Sequence, residues 1–244
     1  MIIHRSSFLN DLSRSQVPAY LLLAVFALAA PYSLRPSLRT SRSWEAGERF
    51  AKDAANTIFN DAERTPDLSE SLDSLRIKPC LELAQALCLL QGHEFAMRRA
   101  SKQNGFMLLA QEVLQVLSIA NADQFPPVST FEDHVRNESI CRAFWLIYQT
   151  ELLSHAFAQQ PVPPVSEQLS RTRLPVEEAV FDLPRVENRP GIQQSSYDHL
   201  QLPTGSKTRR SEFANLIRVS RIYAAVVSAT SQKGAHLQLL RSIV

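Results

Sequence analysis

Residues 75–120 read LRIKPCLELAQALCLLQGHEFAMRRASKQNGFMLLAQEVLQVLSIA, and their periodicity decides the fold class of the whole chain. Pro79 suits the opening turn of a helix, where its missing N–H needs no partner. Cys80, Leu83, Ala84, Leu87 and Cys88 then recur at three- and four-residue steps, which is one buried helical stripe. Gly92 weakens the far end, and Arg98, Arg99, Ser101 and Lys102 read as a solvated connection. Phe106, Leu109, Ala110, Val113, Val116, Leu117 and Ala120 give a second stripe. So short a connection predicts an antiparallel helical hairpin.

The rest of the composition agrees with helices. Of 244 residues, 45% are apolar, enough to bury a sizeable core, and only 6 are Gly against 14 Pro, as expected for helices separated by stiff connections. No period-two run of β-branched residues is long enough for a sheet, so the fold class is all-α. The 26 basic and 24 acidic residues nearly cancel, leaving no global field to hold nucleic acid. Cys80, Cys88 and Cys141 form no paired framework; eight helical residues put Cys80 and Cys88 roughly 12 Å apart, too far for a disulfide. Reduced thiols fit a cytosolic or nuclear chain.

Outward from the hairpin, the first seventeen residues are polar with scattered apolar positions. Pro18 then opens the run AYLLLAVFALAA, closed by Pro31, which is too short to span a bilayer and reads as a buried helix. The rival reading is a secretory signal cleaved near Ala29, since Arg5 and Arg14 precede the apolar run. Residues 43–64 are amphipathic, with Ser43 as N-cap and Glu45 and Glu48 near the positive helix end. Residues 65–74 read as a loop, Phe125, Pro126 and Pro127 break the chain, and Ser129 with Glu132 offers a capping box for the next helix. After a long loop between Asp182 and Arg210, Ser211 starts a last amphipathic helix, with Phe213, Leu216, Ile217, Ile222 and Val226 as its apolar positions.

Four of these segments, in order, resemble the fungal-specific transcription factor domain, the middle homology region of fungal zinc-cluster transcription factors. Cys80-Leu81-Glu82-Leu83-Ala84-Gln85-Ala86-Leu87-Cys88-Leu89-Leu90, followed by Gly92-His93-Glu94-Phe95, is similar to the family's S-L-x-x-L-Q-A-L-x-L-L helix. Phe106-Met107-Leu108-Leu109-Ala110 resembles its Trp-Met-Leu-Leu-Gly, and residues 22–33, LLAVFALAAPYS, resemble an earlier helix. The most specific match is Glu138, Arg142, Phe144 and Trp145 against E-x-x-R-R-x-F-W, with Cys141 in place of the first Arg and Glu151 near the place of a later Asp. Further on, Leu174-Pro175 and the acidic Glu177 and Glu178 are similar to a Leu-Pro-acidic segment.

The resemblance implies an irregular multi-helix regulatory domain built on antiparallel helical hairpins. It also implies a nuclear role in transcription regulation, with no enzymatic activity. DNA binding belongs to the family's zinc cluster, which needs six cysteines; three cysteines in apolar helices cannot build it. The expected partners are therefore proteins, either a full-length relative, the transcription machinery or a second copy, with weak or no direct DNA binding and no membrane. The expected organisation is a segment over 1–17, a partial regulatory domain over 18–183, a linker over 184–210 and a C-terminal helical segment over 211–244.

No catalytic, cofactor or metal site is expected. His134 and Glu138 stand one helical turn apart, but no third ligand has metal-site spacing. His93-Glu94 lacks the second His of a zinc protease, since Met97 occupies its place. Phe144, Trp145 and Tyr148 have the spacing of core packing as well as of an aromatic box. The basic groups Arg98, Arg99 and Lys102, and Lys207, Arg209 and Arg210, are short and read as solvated loops; Pro161, Pro163 and Pro164 read as a stiff connector.

Overall fold

The computed structural model describes residues 2–38, 43–59, 72, 75–117, 130–162, 172–182 and 211–242, with the backbone alone at 43, 44, 100–103 and 232–242. Among them are eight α-helices: α1 (Arg5–Ser13), α2 (Ala19–Ala29), α3 (Glu48–Ile58), α4 (Leu81–Ala96), α5 (Ala100–Val116), α6 (Phe131–Phe157), α7 (Glu178–Phe181) and α8 (Glu212–Ser242). No strand occurs among the described residues beyond one antiparallel bridge between Phe59 and Leu75, so the all-α expectation holds. The chain divides into two compact units, the first holding α1–α5 and α6 as far as Phe144, the second α6 from Trp145 together with α7 and α8.

In the first unit the described part of the 75–120 stretch, 75–117, forms the expected hairpin, α4 and α5, joined by Met97, Arg98 and Arg99. Helix α4 is its centre. Leu83, Ala84, Gln85, Ala86, Leu87 and Cys88 are all buried in succession, so the helix is covered all round rather than on a single stripe. One flank meets α5 and another meets α2, which in turn meets α3. One expectation needs correcting: Pro79 lies outside the helix, because the extended Cys80 is the N-cap. Past Gly92, whose missing Cβ has only the Leu28 side chain nearby, the helix runs on to Ala96.

The N-terminal residues carry a helix that weak periodicity concealed. His4 caps α1 by accepting from the Ser7 N–H through Nδ1, and Gln85 donates to the Ile2 carbonyl at 2.8 Å, tying this segment to α4. Helix α2 is the buried helix expected, with Tyr20, Leu21, Ala24 and Ala27 inside, and cleavage near Ala29 would strip it from this core. Residues 43–64 do not form one helix capped by Ser43. Ser43–Gly47 is a 3-10 turn, Gly47 is the N-cap, and α3 ends at Ile58 as Phe59 turns extended to meet Leu75. The N-terminus of α6 is boxed one residue later than read, by Thr130 and Asp133, whose side chains each accept the other's backbone N–H at 3.1 Å. The loops expected over 65–74 and 182–210 and the break at 125–127 lie almost wholly outside the described residues.

In the second unit Trp145 is fully buried and its indole N–H donates to the Arg173 carbonyl at 2.6 Å. Tyr148 meets it edge to face at 5.4 Å, and Leu174 and Phe181 are buried in the same unit. Ser211 caps α8, accepting the Ala214 N–H and donating to the Glu178 carboxylate. Gln149 reaches Ser220 at 3.1 Å, fixing the rotation of α8 about its axis.

Candidate regulatory interface

Three arrangements in the structure go beyond packing. The first is an ionic clasp at the tip of the hairpin. Arg98 takes a left-handed conformation (φ 57°), and the turn swings Arg99 back toward α4. Its Nε and Nη2 donate to the Glu94 carboxylate, while Nη1 and Nη2 make a two-pronged pair with Glu48 on α3 at 2.8 and 3.0 Å. Burial pushes the Glu94 carboxyl upward, but hydrogen bonds from His93 and Arg99, with the Arg99 charge, outweigh it and hold its pKa below the ordinary glutamate value. The Arg99 pKa is correspondingly raised, because the Glu48 and Glu94 bonds outweigh its own partial burial. Arg99 is therefore no solvated loop residue, whereas Arg98 is exposed as read. The Lys102 side chain and the 207–210 basic group lie outside what is described.

The second is the Glu138–Arg142 pair on α6, 2.9 Å apart, with both side chains fully buried. Glu138 is thus committed to an arginine. His134 one turn away has no third ligand with it; among the described residues no group of three or more His, Cys, Asp or Glu could hold a metal. His93 and Glu94 belong to the clasp. The Trp145 and Tyr148 rings serve core packing, as their spacing allowed, and burial raises the Tyr148 phenol above its usual value, with Glu151 adding to the rise and Arg221 opposing it. Near α2 an open groove of about 490 Å³ is lined by Phe26, Tyr32, Arg35, Leu38 and Phe50; its single charged side chain, Arg35, is exposed.

The third is the outward face of α8, which periodicity alone misassigned. Ala214, Ile217, Arg218, Ser220 and Ala224 are the buried positions. Leu216, Val219, Ile222, Tyr223 and Val226 point the other way and are between 45% and 62% exposed. Ile217 is the one large apolar residue of the expected stripe that is buried; Leu216, Ile222 and Val226 are on the outside. Most of the large apolar residues of the helix face outward, and the side turned in holds Ile217 among small and polar residues. Gln149 and Glu178 select this rotation, since they bond Ser220 and Ser211 on the inward side.

The pattern of the fungal specific transcription factor domain matches residues 1–242. The chain belongs to that family. The match reaches beyond the segments that carry the resemblance, over the N-terminal residues and all of α8. The transcription factor domain is also 27% identical over 191 residues (74% of this chain, 18% of the relative) to an uncharacterized transcriptional regulatory protein of Schizosaccharomyces pombe. It is 28% identical over 192 residues (74% of this chain, 31% of the relative) to a pigment biosynthesis transcriptional activator of Monascus ruber. It is 22% identical over 197 residues (80% of this chain, 29% of the relative) to a transcription factor of Emericella nidulans. The chain thus spans less than a third of the length of these curated relatives. No solved structure matches. The family is one of transcription regulators, which is not an enzyme class. Of the four residues that carry the most specific resemblance, Glu138, Arg142 and Trp145 are buried and Phe144 is half-buried.

Proposed function

We propose that this transcription factor domain acts in the nucleus as a regulator of transcription that works through protein contact rather than by holding DNA. Relatives named as transcriptional regulators and an activator support the process. The observation that carries the mode of action is the exposed apolar ridge of α8, where Leu216, Val219, Ile222, Tyr223 and Val226 face solvent. Two of the arginines are spent internally, Arg99 on two carboxylates and Arg142 on Glu138, and the net charge is only +2. Affinity for duplex DNA comes mainly from phosphate neutralisation by clustered free cations, so this chain should contribute little of it.

The test is a titration of fluorescent duplex DNA with the purified chain at about 150 mM salt, near physiological ionic strength. Weak, unselective binding that disappears with added salt is expected. Sub-micromolar, sequence-selective binding would overturn the reading.

A further inference from the structure

We infer that Ser101 is a phosphoacceptor for an arginine-directed protein kinase, and that the ionic clasp on Arg99 governs its use. The tip of the hairpin reads Arg98-Arg99-Ala100-Ser101, which sets arginines two and three residues before a hydroxyl. Kinases whose acidic subsites take these two positions recognise such a stretch by charge-assisted hydrogen bonds. No other serine or threonine of the 244 residues has arginine at both places. The nearest rivals are enclosed. Ser139, with Arg136 three residues before it, is 2% exposed, and Ser211, after Arg209 and Arg210, is buried as the cap of α8.

The backbone favours access. Ser101 stands second in α5, in the first turn, where N–H groups have no partner within the helix, and Arg99 as N-cap gives them no side-chain bond. Just before it Arg98 is exposed and holds a left-handed φ of 57°, a conformation unfavourable to a residue with a Cβ. This turn therefore opens at smaller cost than the body of either helix. One group resists. Arg99 is bound to Glu94 and, through two bonds of 2.8 and 3.0 Å, to Glu48, so a kinase must take the guanidinium from two carboxylates. Glu48 is the looser partner, its side chain 46% exposed against 6% for Glu94. In the transfer the serine oxygen bonds to the γ-phosphorus of a nucleoside triphosphate held by the kinase, and the bond from that phosphorus to the bridging oxygen breaks. The hydroxyl proton passes to a kinase carboxylate and the nucleoside diphosphate leaves. The product places a charge of about −2 at the positive end of α5, two residues from Arg99, and phosphate accepts paired guanidinium bonds as a carboxylate does. An open clasp thus promotes modification, and modification holds the clasp open.

The test is labelling of the full, folded chain by the catalytic subunit of a cyclic-AMP-dependent protein kinase, an enzyme of this class, with mass analysis of the peptides. One phosphoryl group is expected, on Ser101, and none on Ser139 or Ser211. Ser101→Ala should remove it. Arg98→Asn lies outside the clasp and keeps the left-handed turn, which asparagine tolerates. It should lower kcat/KM for the labelling at least about tenfold, the worth of one charge-assisted hydrogen bond. Glu48→Gln should instead raise kcat/KM by about two- to fivefold, because one partner of Arg99 has lost its charge. A folded chain that takes no phosphate on Ser101, or takes it only once cleaved into peptides, overturns the site. Labelling of Ser101 at the wild-type rate in Glu48→Gln overturns its control by the clasp.

Discussion

Gly47 sits so close to the backbone of Ala27 that a Cβ on it would stand 2.0 Å from the Ala27 carbonyl oxygen. The first residue of the α3 entry and the last turn of α2 therefore touch backbone to backbone. Ala24, Ala27, Ala51 and Ala54, all buried, continue a close contact of small residues between these helices.

Gly47→Ala should accordingly destabilise the chain by about 1–3 kcal/mol or more, the range for overpacking against atoms that cannot yield. Gly92→Ala is the control: its Cβ would meet only Leu28 Cδ1, at 3.9 Å, and the helix gains propensity, so it should be neutral or stabilising by up to about 1 kcal/mol. Urea unfolding of the two variants separates them in sign.

Arg142→Leu removes the arginine from the fully buried Glu138 carboxylate and should cost about 3–5 kcal/mol. Replacing both, as Glu138→Leu with Arg142→Met, removes the charge from the core along with its partner. The double variant should be more stable than Arg142→Leu alone, as thermal melts of the variants would record; equal or greater loss in the double would show that the pair acts through its other contacts.

Glu94 gives the chain an acid limb. Its folded pKa is depressed, so the stabilisation it contributes is fully present above the unfolded value of 4.5 and is lost as pH falls through the folded value. Chemical denaturation at a series of pH values should show stability declining below about pH 4.5, where glutamate protonates. Glu94→Gln should be less stable near neutrality and should show a flatter decline.

Much of this was legible in the residues, and the exceptions have physical causes. The hairpin was readable because apolar side chains at helical spacing bounded by a polar turn have few alternatives. The clasp was hidden because Arg99 pairs with Glu48, 51 residues away in sequence, and no local pattern reports a long-range ion pair. Helix α1 was hidden because its nine residues bury none of their own side chains; its anchorage comes from His4 and from Ile2 just outside it. Helix α8 misled for a different reason. Periodicity finds the apolar side of a helix, and that side faces the core only when nothing else claims it. Here Gln149 and Glu178 set the rotation through Ser220 and Ser211, and the apolar side was left outside.

Thiol reactivity follows from burial. Cys88 is enclosed and its pKa is pushed up to about 12 by desolvation. Burial also raises the Cys80 thiol, which lies 3.5 Å from the Tyr20 hydroxyl, and Cys141 is buried. At pH 8 an aromatic disulfide reagent should react slowly with Cys80 and not at all with the other two in the folded chain, and with all three after denaturation. Rapid native labelling of Cys88 would contradict the placement of α4 at the centre.

The central claim is that the chain influences transcription by protein contact through α8, and tethering tests it most directly. The chain fused to an unrelated DNA-binding module should change the output of a reporter carrying that module's site in fungal nuclei. Val219→Asp with Val226→Asp in the fusion should abolish the change without lowering its abundance. Regulation that is undiminished by the two aspartates, or a fusion with no effect on the reporter, would contradict the account.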